Sequence, residues 1–499
     1  MGESVGEFAK ESGDAILESE GEGLAYFSRF GVDEGLIRAA IERALSRGGS
    51  YAELFFEHKI SQDLGLQDGA VNRAYSGVAL GVGVRVLRGD QTGYAFTEDL
   101  SRGSLLETAG IAALIADDNP RSGPTRFEHQ QRPNRYSVKT LWGDVGVDEK
   151  IPVLRQLNEE AFAADSRIQK VNVGLSHSDG AVLIANSRGR LHFDRRPMTR
   201  MSMSCVAEDG GRRESNGANI AARAGWELVN TTRLETLRAD AVDQTLRLFE
   251  ASQGPAGAMP IVLGAGASGI LLHEAIGHGF EADFNRKGTS IYSDQLNEMV
   301  THEEVTIIDD GTRPGDRGAV NIDDEGNEGQ RTLLIDSGRL CSYIHDKMSA
   351  EHYQVAPTGN GRRQSFRHAP LPRMRCTYME AGQRSPEEII ASVERGIYAE
   401  TFTNGQVNIG GGDFTFYIKL GYLIEGGKLT QPIKDTNIIG NGPEVLRRTD
   451  MVGNDLRFDE GGWVCGKDGQ SVPVSLGMPT VRVSEIIVGG QNQSGEGSA

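Results

Sequence analysis

Residues 260–278 read Pro-Ile-Val-Leu-Gly-Ala-Gly-Ala-Ser-Gly-Ile-Leu-Leu-His-Glu-Ala-Ile-Gly-His. An apolar run comes first, a glycine-rich turn follows it, and the end combines apolar residues with two histidines. This order predicts a strand that leads through a tight turn into a helix. Two motifs overlap in the stretch. One begins at Gly264 and the other at His273, and they predict different enzymes.

The glycine motif, Gly264-x-Gly266-x-x-Gly269, has the spacing of a dinucleotide-binding turn between a strand and a helix. Glycine accounts for 65 of the 499 residues, so this spacing arises easily by chance. The acidic residue that binds the ribose should end a second hydrophobic strand about 20 positions further on. Asp283 has the distance but lies in Gly-Phe-Glu-Ala-Asp-Phe-Asn-Arg, which is not such a strand. A nucleotide-dependent oxidoreductase is therefore the weaker alternative.

The second motif, His273-Glu274-x-x-x-His278, predicts a metal site. Neutral imidazoles bind zinc, and a carboxylate beside them can take a proton from metal-bound water without being a ligand itself. The spacing is one residue longer than in the common zinc peptidases. Five residues of a regular helix rotate by ~500°, which leaves the two imidazoles ~140° apart. We therefore expect a helix that is bulged or broken between Glu274 and His278, with Gly277 lowering the steric barrier to distortion.

A catalytic zinc usually has three protein ligands, and the histidine spacing does not name the third. Cys465 is one candidate, because the glycines around it let another element pack closely and a thiolate binds zinc well. A buried, inert thiol is an equally good interpretation of this cysteine. Glu281, Asp283 and His345 are the rival ligands.

Composition narrows the class of protein. The chain has 52 Lys+Arg against 70 Asp+Glu, a net charge of −18, and such a surface repels nucleic-acid phosphates. Four widely separated cysteines do not form a disulfide framework of the secreted kind. No segment has the ~20 consecutive apolar residues of a membrane helix, and the acidic N-terminus is no signal peptide. We expect a soluble cytoplasmic protein that binds neither nucleic acid nor membrane.

The pattern of segments predicts an α+β fold. We expect an N-terminal α/β domain at residues 24–250, with a mostly antiparallel sheet and flanking helices, and a β-rich C-terminal domain at residues 251–490 that carries the metal-site helix. The boundary is placed in the linker-like residues 252–258. Residues 1–23 and 491–499 are expected to be disordered. Helices are predicted at residues 32–49, with Asp33 as a possible N-terminal cap, and at 104–116, 150–164 and 234–249. Two short strands are predicted at residues 52–58 and 64–67, followed by a turn at Asp68-Gly69.

Several segments together resemble the peptidases of the TldD and PmbA (TldE) group, also called modulators of DNA gyrase. They include Leu272-His-Glu-Ala-Ile-Gly-His-Gly-Phe-Glu-Ala-Asp283, Gly359-Asn-Gly-Arg-Arg-Gln-Ser365, Ile439-Gly-Asn-Gly-Pro-Glu-Val-Leu446 and Val464-Cys-Gly-Lys-Asp-Gly-Gln-Ser-Val-Pro-Val474. The resemblance covers most of the chain.

The resemblance implies a zinc peptidase of the HExxxH type. Its ligands map onto His273, His278 and Cys465, and its catalytic base maps onto Glu274. It also implies that a chain with this motif is the catalytic subunit, which pairs with a TldE/PmbA-like subunit and acts on unfolded peptides. Self-association is the alternative assembly. The residue that stabilises the oxyanion is not identified.

Two further expectations concern function. The glycine-rich residues 407–412 could offer a bare backbone edge to an extended peptide, although a loop without a ligand fits them equally well. The gyrase-related name of the group suggests an alternative of another class, a regulatory or binding partner without hydrolytic activity. An intact His-Glu-His motif has no purpose in such a role.

Overall fold

The structure is a computed structural model that describes residues 22–136, 138–408 and 411–489. Its helices are α1 Glu22–Ser28, α2 Glu34–Leu45, α3 Arg102–Ala112, α4 Val147–Ala164, α5 Thr231–Arg247, α6 Gly269–Ala275, α7 Ala282–Arg286, α8 Lys347–Tyr353, α9 Pro386–Ala391 and α10 Gly442–Arg447. The first strands are β1 Tyr51–Gln67, β2 Ala70–Arg88, β3 Gln91–Thr97, β4 Glu128–His129, β5 Ile168–Asn186, β6 Arg190–Asp209 and β7 Arg212–Ala222.

The remaining strands are β8 Ser252–Gln253, β9 Gly257–Leu263, β10 Ile307–Asp310, β11 Arg331–Asp336, β12 Arg339–Leu340, β13 Gly361–Arg362, β14 Leu371–Pro372, β15 Cys376–Met379, β16 Arg395–Val407, β17 Asp413–Glu425, β18 Lys428–Asn441, β19 Thr449–Val452, β20 Arg457–Asp459, β21 Val464–Lys467, β22 Gln470–Pro473, β23 Ser475–Met478 and β24 Val481–Gly489. This confirms the predicted α+β class. None of the helices in the described ranges has the length and apolarity needed to cross a bilayer.

Strands β1 to β7 form one sheet, with the order β3-β2-β1-β5-β6-β4 and β7 paired to β6. Its long neighbours are antiparallel, as predicted, and β1 pairs along most of its length with both β2 and β5. Asp68 and Gly69 connect β1 to β2 with φ values of 50° and 82°, the left-handed geometry of a two-residue hairpin turn. The sequence predicts two short strands where β1 is continuous. Its polar middle, residues 59–63, is held as strand by pairing on both sides.

The two faces of β1 have different partners because side chains alternate along a strand. Leu54 and Phe56 pack into the core beneath α2 and α3. The opposite face carries Phe55, which packs against Ile322 and Phe366 from the second half of the chain. The first sheet therefore has helices on one face and the metal-site half of the protein on the other.

Buried charges also join the two halves. Arg363 donates to Glu53 over 2.5 Å, and Arg85 lies 2.8 Å from Glu53 and 2.6 Å from Glu325. All of these side chains are essentially inaccessible to solvent. Glu53 is the charged partner of both arginines, and such buried ion pairs require mutual compensation, since an unpaired charge would be costly.

The second half contains two larger sheets. One has the order β12-β11-β10-β15-β23-β20. In the other, strands β24, β9, β16, β17 and β18 pair in succession, and a pairing of β18 with β24 closes them into a ring. Helix α6 follows β9 and contacts β15 and β23 of the six-stranded sheet and β16 and β17 of the ring. The predicted metal-site helix is thus fixed between two sheets.

Some local predictions are confirmed and others need correction. Helix α2 begins after Asp33, whose carboxylate accepts from Leu36 N as the predicted N-terminal cap. Residues 252–258 are not a free linker, because β8 pairs with β18 and β9 begins at Gly257. The expected disorder at residues 1–23 and 491–499 falls mainly outside the described residues, and α1 begins at Glu22. The division into two domains stays a prediction.

Candidate metal centre

Helix α6 carries His273 and Glu274 and ends immediately after them. Ile276 has φ −130° and ψ −47°, which leaves helical geometry, and its N–H bonds back to the Leu272 carbonyl. A 3₁₀ turn over Gly277–Phe280 then carries His278. The predicted break between Glu274 and His278 is confirmed. It takes the form of a helix end followed by a tighter turn, so the two histidines need not lie on different faces of one helix.

Gly277 allows this break for a reason that the sequence does not show. A Cβ atom at this position would overlap the sulfur of Met374, and Met374 is completely buried. The glycine is therefore required by close packing against a side chain from a distant segment. Its φ lies outside the left-handed range, so backbone freedom is not the reason.

The break brings His273, His278 and Cys465 together. Their candidate ligand atoms all lie within 4.8 Å of one another, and all three residues are buried. The Cys465 Sγ is 3.5 Å from His278 Nε2, and the two imidazole rings stand nearly perpendicular, at 79° with centroids 5.3 Å apart. Cys465 comes from the hairpin of β21 and β22, whose turn at Asp468-Gly469 has φ values of 48° and 71°.

His273 gives the most direct indication that this cluster suits a metal ion. Its side chain is buried, with the residue 1% exposed, yet neither ring nitrogen has a hydrogen-bond partner among the described residues. Buried polar groups are normally paired, because leaving them unpaired costs free energy. Two imidazoles and a thiol suit a borderline-soft cation such as zinc. The residues present therefore fit a bound metal.

Glu274 lies at the edge of this cluster. Its side chain is 23% exposed, and its Oε2 is 3.9 Å from His278 Nε2. It is thus close to the cluster of candidate ligands but in contact with solvent. That placement suits a carboxylate that exchanges protons with water.

The buried carboxylate of Glu281 orients His278 through the ring nitrogen that does not face Cys465. His278 Nδ1 donates to Glu281 Oε2 over 2.9 Å, which leaves Nε2 directed at Cys465. Lys467 contacts the same Glu281 oxygen at 3.0 Å and Asp283 Oδ1 at 2.6 Å. The sequence proposes Glu281 and Asp283 as rival ligands, but here they pair with His278 and Lys467. Lys467 is absent from the sequence-based candidates, although its position two residues after Cys465 on one strand places both side chains on the same face.

These charges shift several pKa values. Burial alone would raise the pKa of the Cys465 thiol, but the imidazoles of His273 and His278 hold it well below its ordinary value. Burial also opposes ionisation of Glu281, yet Lys467 and His278 lower the pKa of this carboxyl to about 2. A thiolate and a carboxylate are the forms that bind a metal and accept from a ligating imidazole.

The other sequence candidates lie elsewhere. His345 packs edge-on against Tyr353 at a centroid distance of 5.5 Å and is not in the cluster of potential ligands found among the described residues. Two glycines of the alternative nucleotide motif serve packing, and the third, Gly266, has a left-handed φ of 91°. A Cβ at Gly264 would overlap the Tyr398 hydroxyl, and one at Gly269 would lie 3.0 Å from the Gly477 backbone.

A buried pair of imidazoles with a thiol, a carboxylate at the rim and a second carboxylate behind one imidazole has the donor set of a metal-dependent hydrolase. Comparison with known proteins agrees with this class. Sequence models of the PmbA/TldA metallopeptidase match domain 1 at residues 52–116, the central domain at 141–249 and the C-terminal domain at 256–490.

Whole-length relatives lead to the same group. The chain is 41% identical over 453 residues to a metalloprotease TldD homolog of Haemophilus influenzae, covering 89% of this chain and 94% of the relative. It is 26% identical to a zinc metalloprotease TldD homolog of Saccharolobus solfataricus, covering 90% and 99%. The chain belongs to the PmbA/TldD metallopeptidase family.

Solved structures share the fold. The crystal structure of TldE from Thermococcus kodakarensis superposes with a TM-score of 0.72 at 18% identity, covering 92% of this chain and 99% of that one. The family models and the whole-length relatives confirm the resemblance to the TldD and PmbA group.

Proposed function

We propose that this metallopeptidase is a zinc-dependent peptidase whose metal ligands are His273, His278 and Cys465 and whose catalytic base is Glu274. The observation that carries the proposal is the buried imidazole of His273, which has no hydrogen-bond partner in the described part of the chain and lies beside a second imidazole and a thiol. A ligand set of nitrogen and sulfur favours zinc over magnesium or calcium, which prefer oxygen. The Saccharolobus relative named as a zinc enzyme supports the same metal.

The roles of the residues follow from their positions. Bound zinc supplies a Lewis acid that polarises the scissile carbonyl and acidifies a water molecule. Glu274, at the solvent-facing edge, accepts a proton from that water and passes it to the leaving amine. Glu281 keeps the proton of His278 on Nδ1, so that Nε2 is free to bind the metal.

The burial of the site supports a restricted substrate. His273, His278 and Cys465 are all 2% exposed or less, so a folded protein surface cannot reach them. Glu274, whose side chain is 23% exposed, is the solvent-facing edge of the site, and we propose unfolded or extended peptides, which are narrower than a folded surface, as substrates of a cytoplasmic enzyme. We further propose assembly with a TldE/PmbA-like subunit or with a second copy of this chain. Part of the predicted peptide edge, residues 409–410, lies outside the described residues.

Metal analysis tests the ligand set. The purified chain should hold a single zinc ion, and Cys465→Ser and His278→Ala should each lose it, because each removes one of three protein ligands. Cys341→Ser is the matched control, since Cys341 is an exposed thiol away from the site. Undiminished zinc in both ligand variants would remove these residues from the site. It would favour the rival ligands, whereas absence of zinc from the wild type would favour the regulatory or nucleotide-dependent alternatives.

Glu274→Gln tests the base. The substitution keeps the size of the side chain and removes its basicity, so zinc content and fold should be retained. Peptide hydrolysis should fall by at least the ~10²- to 10⁴-fold ascribed to general acid–base catalysis. Activity is measured on the chain alone and with its proposed partner, since an incomplete assembly could be inactive for other reasons. Loss of zinc would make Glu274 a ligand or a ligand-orienting group, and full activity would exclude it as the base.

A further inference from the structure

Lys467 is a completely buried lysine beside the metal centre. It lies two residues after Cys465 on β21, and its side chain is 1% exposed. The ammonium contacts Asp283 Oδ1 at 2.6 Å, Glu281 Oε2 at 3.0 Å and the Pro372 carbonyl at 3.1 Å. Every donor of this group is therefore occupied by an oxygen from another segment.

One oxygen atom links this lysine to a metal ligand. Glu281 Oε2, which contacts Lys467, is also the acceptor for His278 Nδ1 at 2.9 Å. A chain of contacts therefore runs from the hairpin that supplies Cys465, through Lys467 and Glu281, to the 3₁₀ turn that supplies His278. Cys465 and His278 are 187 residues apart in sequence. The chain of contacts connects the two segments at the site itself.

We propose that Lys467 is a positioning residue of the metal centre, which acts through Glu281 to fix the orientation and tautomer of His278. The inference rests on the proposed ligand set. Without the ammonium, Glu281 and Asp283 are two buried carboxylates with no cation between them, an arrangement that is strongly unfavourable. Glu281 then loses the contact that fixes its carboxylate, and its hold on His278 Nδ1 is weakened.

A double-mutant cycle on metal affinity tests the proposal. Cobalt(II) is titrated into the metal-free full chain, and its dissociation constant is read from the cobalt–thiolate absorption of Cys465. Lys467→Met and Glu281→Gln should each weaken binding by roughly 10- to 100-fold, the usual effect of removing a group that orients a metal ligand. Because Lys467 acts through Glu281, the double variant should bind within about threefold of Glu281→Gln alone. The proposal would be overturned if the double variant lost affinity by the product of the two single losses. Wild-type affinity in Lys467→Met would overturn it as well.

Lys434→Met controls for the loss of any buried lysine. Lys434 is paired with Glu214, with side chains 14% and 13% exposed, and it also donates to a backbone carbonyl, so its contacts resemble those of Lys467 at a place remote from the metal. Lys434→Met should leave the cobalt affinity unchanged. If it lowered the affinity as much as Lys467→Met does, the Lys467 effect would be general destabilisation. If Lys467→Met does not fold, Lys467→Gln, which keeps a side-chain donor, takes its place in the cycle. Failure of the proposed ligand set is recognised separately, since the thiolate band would then be absent from the wild type or survive in Cys465→Ser.

Discussion

Gly277→Ala should damage both the fold and the metal centre. The added methyl group would occupy the position of the Met374 sulfur, which lies in the main core of the second half. Either Met374 must change rotamer or the turn from Gly277 to Phe280 must move. His278 is the next residue, so any movement of the turn moves a proposed metal ligand.

The magnitude follows from the tightness of this packing. Inserting a methyl group into a well-packed core costs about 1–3 kcal/mol. The candidate ligand atoms lie within 4.8 Å of one another, and misplacing a reactive group by ~1 Å can cost ~10²-fold. We expect the free energy of unfolding to fall by about 1–3 kcal/mol and zinc affinity to fall at least ~10-fold.

Urea unfolding and chelator competition measure these two quantities. Gly103→Ala in α3 is the matched control, because a Cβ at Gly103 meets no atom within 4 Å and alanine is favoured over glycine in a helix by about 0.5–1 kcal/mol. Wild-type stability and wild-type zinc affinity in Gly277→Ala would refute the account of the helix break. Lost stability with unchanged zinc affinity would show that the break is not what positions His278.

Two further predictions concern the buried charges between the halves of the protein. Burial raises the pKa of Glu325 to about 8, from 4.5 in the unfolded chain. Between these two pH values the folded state therefore holds a proton that the unfolded state has released. The free energy of unfolding should fall as pH rises through this range, by at most ~1.4 kcal/mol per pH unit. Urea midpoints at several pH values should show this slope in the wild type and a smaller one in Glu325→Gln; parallel curves would contradict it. Arg363→Met should cost ~3–5 kcal/mol, because it removes a fully buried partner of Glu53. Arg367→Met, which removes an exposed pair with Glu98, should cost at most ~1 kcal/mol in the same urea assay, and equal losses would refute the contrast.

Features set by neighbouring residues were predictable. The cap at Asp33 and the turn at Asp68-Gly69 depend on interactions within a few residues, and such preferences are carried by residue type. The break in α6 followed from helix rotation alone. Strand β1 was predicted in two pieces, because hydrogen bonds to β2 and β5 override the weak strand preference of its polar middle.

Local sequence spacing predicts only part of the candidate metal centre. Spacing alone brings His273, Glu274 and His278 into one short segment, which indicates a metal site and the need for a distorted helix. Nothing local chooses among Cys465, Glu281, Asp283 and His345 as the third ligand, and only the resemblance to a known family pointed to the cysteine. Tertiary packing places the Cys465 thiol 3.5 Å from His278.

The roles of Lys467 and Gly277 could not be predicted from the sequence for the same reason. Each is understood only through a partner that is distant in sequence, Glu281 for the lysine and Met374 for the glycine. The sequence by itself determined the chemistry available, two imidazoles and a carboxylate at fixed spacing. Only the tertiary structure decided which distant groups complete and orient that chemistry, because contacts across long loops depend on how whole sheets and helices pack and not on the preferences of single residues.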